Sequence, residues 1–193
     1  MAIKKQAYSG KGCTMKYLTG LILLTSYIFF NSTAAWSDSP ASESVPPAIA
    51  NSATQTLRMT LKAQGDQVYE CRAVTAAPDK FGWVLTGPDA DLFDEQGHKV
   101  GHHSRGPKWE LTAGDTVTGH LHSKAPSPDG KSIPWLLLDA EKANGPTLGK
   151  IVSIQRVDTV GGQAPDETAD YTKVGQIRRI KYSAAYKFFA DKP

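Results

Sequence analysis

From Arg179 to Phe188 the chain alternates without a break: Ile180, Tyr182, Ala184, Tyr186 and Phe188 face one way, and Arg179, Lys181, Ser183, Ala185 and Lys187 the other. Successive side chains of an extended backbone leave opposite faces, so this is a strand with one side buried. The same period recurs in "LRMTLKA", where Leu57, Met59 and Leu61 oppose Arg58, Thr60 and Lys62. It returns in "QVYECRAV", "FGWVLTG", "ADLFDEQG", "PKWELT", "DTVTGHLHS", "IPWLLLDAE" and "GKIVSIQRV". Gly, Pro, Asp or Asn bound each run, and Gly65-Asp66 and Gly87-Pro88 read as turns between strands. No segment carries a sustained helical stripe. Many short strands at regular spacing predict an all-β domain, an antiparallel β-sandwich or barrel, since periodicity does not distinguish the two. Trp135 to Leu138 are apolar at every position, which predicts a central strand or one covered on its outer side.

The N-terminal third reads differently. Lys4, Lys5, Lys11 and Lys16 precede the apolar run "LTGLILLTSYIFF", and small residues follow in "NSTAA". That order is the layout of a secretory signal peptide, with cleavage expected after Ala35 and translation starting at Met1 or Met15. The run is short and interrupted by Thr19, Gly20, Thr25 and Ser26, whereas a span takes roughly 20 apolar residues, so no stable membrane span is expected after cleavage. Residues 36–55, rich in Ser, Pro and Ala, read as a flexible leader, and 56–193 as one β domain. Export places the domain outside the cell or in the periplasm.

Removing residues 1–35 changes the charge argument. The whole chain has 22 basic and 19 acidic residues, and four of the lysines but no acid lie in that segment, leaving 18 against 19, a net charge of −1. A nucleic-acid footprint needs clustered basic residues, so no nucleic-acid partner is expected. Arg178, Arg179 and Lys181 read as a solvated strand edge. Cys71 is the one thiol left, which excludes an internal disulfide and reads as a buried, inert side chain.

The candidates for chemistry gather in and near "HKVGHHSRGPKWE", residues 98–110. His120 and His122 leave the same face of a strand and are the candidate metal pair, though no second anchored pair accompanies them. A hydrolase would use His103 as general base, Glu110 as its partner and Arg156 to stabilise developing negative charge. A binding site would draw on His103, Trp109, Gln155 and Arg156, an aromatic wall with a few polar groups that orient a ligand. The two glycines of "TVGGQAPDE" lack the lysine and helix of a phosphate loop, and no cofactor motif is present.

These residues together resemble the secreted domain-of-unknown-function family 3455. The likeness runs from Gln67 to Phe189, carried by "VYEC", Trp83, "GPDADLFDEQG", "VGHHSRGPKWE", "IPWLLLDA", "IQRVDTVGGQAP" and "YSAAYKFF". In that pattern the family's histidine falls on His103, with Gly106, Pro107, Trp109 and Glu110 after it, while His120 and His122 match no family position. Family members often carry a cysteine where this chain has Ala169, a residue that would pair with the one matching Cys71. The resemblance implies secretion and a compact β domain but no activity. The expectation is a non-enzymatic exported β domain that binds a small molecule, a glycan or an envelope component, with the hydrolase and the metal-binding protein as alternatives.

Overall fold

The computed structural model describes residues 44–193; the expected signal peptide and residues 36–43 of the expected leader lie outside the described residues. Eight strands follow in order: β1 Gln55–Val74, β2 Ala77–Phe93, β3 Lys99–Ser104, β4 Lys108–Leu111, β5 Thr116–Ala125, β6 Trp135–Asn144, β7 Ser153–Gly161 and β8 Ile177–Asp191. Each pairs antiparallel with its neighbour and β8 returns to β1, so the sheet closes into an up-and-down barrel rather than a sandwich. Closure leaves no open edge, which removes the unpaired backbone that a sandwich must protect.

Two expected turns are absent. β1 runs straight through Gly65-Asp66 and β2 through Gly87-Pro88. A Cβ at Gly65 would collide with Asp89 O and Ala90 Cα, so glycine there permits close approach of β2 rather than a reversal. Gly87, at φ +145°, pairs with Val68 beside a register shift between Val68 and Tyr69, and thus marks a bulge.

The barrel interior holds the main core, with Leu61, Ala63, Leu92, Trp109, Leu138, Ile154 and Phe188 among its buried members. The end formed by the β4–β5 and β6–β7 connections is filled. Leu148 and Ile151 fold inward from the β6–β7 connection, and the Asp115 carboxylate accepts the Leu148 N–H at 3.0 Å and the Thr147 N–H at 2.5 Å.

A smaller cluster lies on the outside. Ile49, Ala125, Trp135, Leu137 and Val157 pack together there, with Ile49 fully buried. The expected flexible leader therefore needs correction from Ser44 onward. Pro47–Ile49 form a 3-10 turn on the sheet, and Gln155 Nε2 donates to Ile49 O at 2.8 Å. Composition signalled too little apolar content to order this segment, but a single isoleucine seated on an apolar strand face, backed by a buried hydrogen bond, holds it. The same contact answers why Trp135 to Leu138 are apolar throughout: Leu136 packs against the interior core and Leu138 belongs to it, whereas Trp135 and Leu137 lie beneath the N-terminal segment.

Candidate functional site

The opposite end, which carries the β3–β4 turn, contains a cavity of about 220 Å³. Its polar lining is Gln67 from β1, Thr86 from β2, His103 from β3, Trp109 from β4, Arg156 from β7 and Tyr186 from β8, and Leu136 and Leu138 supply apolar wall. Alternation along each strand selects them: Gln67 shares the inward parity of Leu61 and Ala63, and Tyr186 that of Ala184 and Phe188.

His103 is fully enclosed. Its ring stacks on Trp109 with centroids 4.4 Å apart and planes 8° from parallel, and Tyr186 meets both rings edge-on at 4.8 and 5.2 Å. His103 Nδ1 lies 2.9 Å from Lys108 O. A carbonyl can only accept, so the proton sits on Nδ1 and leaves Nε2 with a free lone pair. Burial, reinforced by the positive charge of Arg156, pushes the imidazole down to about 3, so the ring is neutral at physiological pH.

Arg156 donates through Nε at 3.2 Å and Nη2 at 2.8 Å to Pro134 O, the backbone entering β6. Among the described residues it has no carboxylate within ion-pair distance, and Nη1 has no protein partner. Three other polar atoms around the cavity are buried without a hydrogen bond: Gln67 Nε2, Trp109 Nε1 and the Tyr186 hydroxyl. Tyr182 and Arg156 lie near enough to influence the Tyr186 phenol, whose ionisation burial pushes upward, yet neither bonds to it.

Of the four expected ligand-binding residues, His103, Trp109 and Arg156 converge on this cavity. Gln155 does not. It neighbours Arg156 on β7 and therefore faces the outside, where it is committed to Ile49 O. Glu110 is displaced for the same reason: it pairs across the sheet with His102, whereas His103 pairs with Trp109. Glu110 is exposed and bonds Lys108 Nζ at 2.5 Å, so the His103–Glu110 acid–base pair expected of a hydrolase is not assembled.

The metal pair also sits outside the barrel. His120 Nε2 and His122 Nδ1 lie 3.3 and 3.0 Å from Asp139 Oδ2, and all three side chains are exposed. Among the described residues no group of three or more His, Cys, Asp or Glu side chains is arranged to hold a metal ion. The basic spot is neutralised: Arg179 reaches Asp66 at 3.0 Å and Asp89 at 2.5 Å, Lys181 reaches Asp66 at 2.9 Å, and Arg178 bonds Glu167 at 2.5 Å. Cys71 is buried, and its Sγ is 3.6 Å from Asp170 O, which brings the chain beside Ala169 over the thiol.

Gln67 escapes a reading of the sequence because the expected turn at Gly65-Asp66, which does not form, would separate it from Leu61 and Ala63. Reading one continuous strand puts a glutamine on an otherwise apolar face, and that misplaced polar group is the signal.

A family model described as "Protein of unknown function (DUF3455)" matches residues 52–190. Neither a curated protein nor a solved structure matches the chain significantly. The matched region includes His103, Pro107 and Trp109 of the cavity lining and spans the barrel from the approach to β1 to the last residues of β8: the chain belongs to the DUF3455 family.

Proposed function

We propose that the domain is an exported, non-enzymatic barrel that binds a small molecule in the cavity between Gln67, Trp109, Arg156 and Tyr186. One observation carries this reading: three residues with buried, unpartnered donors line the same cavity as an arginine that no carboxylate neutralises. A buried donor left open costs about 1–3 kcal/mol, so such a group persists where a ligand or ordered water completes it. Eight strands suit this use, because a barrel of that size is just wide enough for one small ligand. The polarity of the wall supports a barrel in water, with Leu61, Leu92 and Phe188 inside and Lys62, Lys99, Glu110 and Lys187 outside, the reverse of a membrane barrel. Export rests on the charged, apolar and small-residue order of residues 1–35.

Thermal-shift screening of residues 36–193 against small metabolites, glycans and metal salts tests the reading. A ligand of the native state at about 100 times its Kd adds roughly 2.7 kcal/mol by mass action. The expected result is a small-molecule class that raises Tm and loses its effect in a Leu136→Trp variant, whose indole fills the cavity. A shift that survives Leu136→Trp, or one produced by metal alone, would overturn it.

A further inference from the structure

We infer that the occupant of the cavity is a compact organic acid bound as its anion, its carboxylate on Arg156 and its apolar body against the leucine wall. The inference rests on the binding reading above and adds the chemical class. Three features of the lining lead to it.

Charge is the first. Arg156 is the sole permanently charged side chain that lines the cavity, no acid lines it, and His103 is held neutral. The acids adjacent in sequence to the lining residues are spent elsewhere: Asp66 and Asp89 on Arg179, Glu110 on Lys108, and Asp139 beside His120 and His122. A guanidinium whose Nε and Nη2 are anchored on one carbonyl keeps its orientation and presents Nη1 as a fixed donor, which suits a planar oxyanion better than a mobile ammonium would.

The second is the balance of donors and acceptors. Gln67 Nε2 and Trp109 Nε1 are donors only, and the Tyr186 hydroxyl is free to donate. With Arg156 Nη1 they put four open donors on the lining, while the His103 Nε2 lone pair is an open acceptor, so the set calls for an occupant with more acceptor sites than donors. Thr86 Oγ1 offers no donor inward, since it bonds Val68 O at 2.9 Å. An alcohol brings a single oxygen to these donors; a carboxylate brings two, with four lone-pair sites and no proton.

Size and wall are the third. The cavity measures about 220 Å³, and Leu85, Pro88, Pro107, Leu136 and Leu138 make most of its surface apolar. A dry cavity of about 150 Å³ holds a benzene ring. The space therefore fits a single ring or a short alkyl chain with its carboxylate, and a bare inorganic anion would waste the leucines.

Calorimetry on residues 36–193 with benzoate, hexanoate, benzamide, benzyl alcohol and inorganic phosphate tests this directly. Benzoate or hexanoate is expected to bind at least tenfold tighter than benzamide or benzyl alcohol, with phosphate weaker still. Arg156→Gln should weaken the acid by roughly 10- to 100-fold, the scale of a charge-assisted hydrogen bond, and leave the alcohol unchanged. Because Arg156 also holds Pro134 O, Gln67→Leu serves as a second variant, removing one open donor and no protein hydrogen bond; it too should weaken the acid selectively. If the neutral probes bind as tightly as the acids, or both variants bind benzoate like the parent, the anion assignment falls while the binding reading stands. If none of the organic probes binds the folded parent at millimolar concentration, both fall.

Discussion

The first halves of β6 and β7 are covered on both faces, and the two faces are closed in opposite ways. Outside, Trp135, Leu137 and Val157 lie under Ile49, and the polar groups among them find protein partners: Gln155 bonds Ile49 O and Ser153 bonds Gln55 Oε1 at 2.7 Å, with Trp135 Nε1 the exception. Inside, Leu138 and Arg156 meet Trp109 and Tyr186, and the donors stay open. A face that exists to hold the chain together satisfies its own polar groups. A face that awaits a ligand leaves some of them to it, at a cost to stability that structure alone would not demand.

Perturbing the two faces in parallel sharpens the contrast. Trp109→Ala empties the centre of the aromatic stack and should lower unfolding free energy by about 3–5 kcal/mol in urea titration, with benzoate binding abolished. A loss under about 1 kcal/mol would mean that the inner wall carries little of the fold. Acid comes next. His103 in the folded state sits far below its ordinary value of 6.5, at about 3, so between those pH values the unfolded chain binds a proton that the native one refuses. Stability from this residue is present above pH 6.5 and drains as pH falls, by roughly 3 kcal/mol at pH 4. His103→Gln should flatten that slope, and a Gln155 variant should keep it.

On the outer face Ile49→Ala is expected to cost about 2 kcal/mol, at the low end for such truncations because a terminal segment relaxes into the gap. Ligand affinity should not change; coupling of more than threefold would make the N-terminal segment part of the site. The smallest effects make the sharpest pair. Gln155→Leu leaves Ile49 O buried without a donor and should cost about 1–2 kcal/mol with binding intact. Gln67→Leu removes a donor that bonds nothing, so stability should move by no more than about 0.5 kcal/mol while binding weakens. Equal losses from both glutamines would erase the distinction between the faces.

Much of this is legible in the residues and some of it is not. Alternation from Arg179 to Phe188 gives β8 and its inward set, and the apolar run at Trp135 announces a strand covered on both sides. Trp109 and His103 are readable as neighbours on adjacent strands, because Gly106-Pro107 lies in the short turn between them. Gln155 and Arg156 were both candidates, yet a strand admits only one of two neighbours to the interior, and nothing local says which. His103 and Glu110 look like a pair in sequence and are parted by the sheet for the same reason.

What the chain declares by itself, then, is its strand content, its antiparallel manner and the alternation of side chains along the clearest strands, since these depend on a residue and its next few neighbours. Closure of β8 on β1, passage of β1 and β2 through Gly65 and Gly87, the seating of Ile49 and the choice of Arg156 over Gln155 belong to the tertiary structure. Each depends on contact between residues far apart in the chain, where backbones approach, faces are covered and donors are left open.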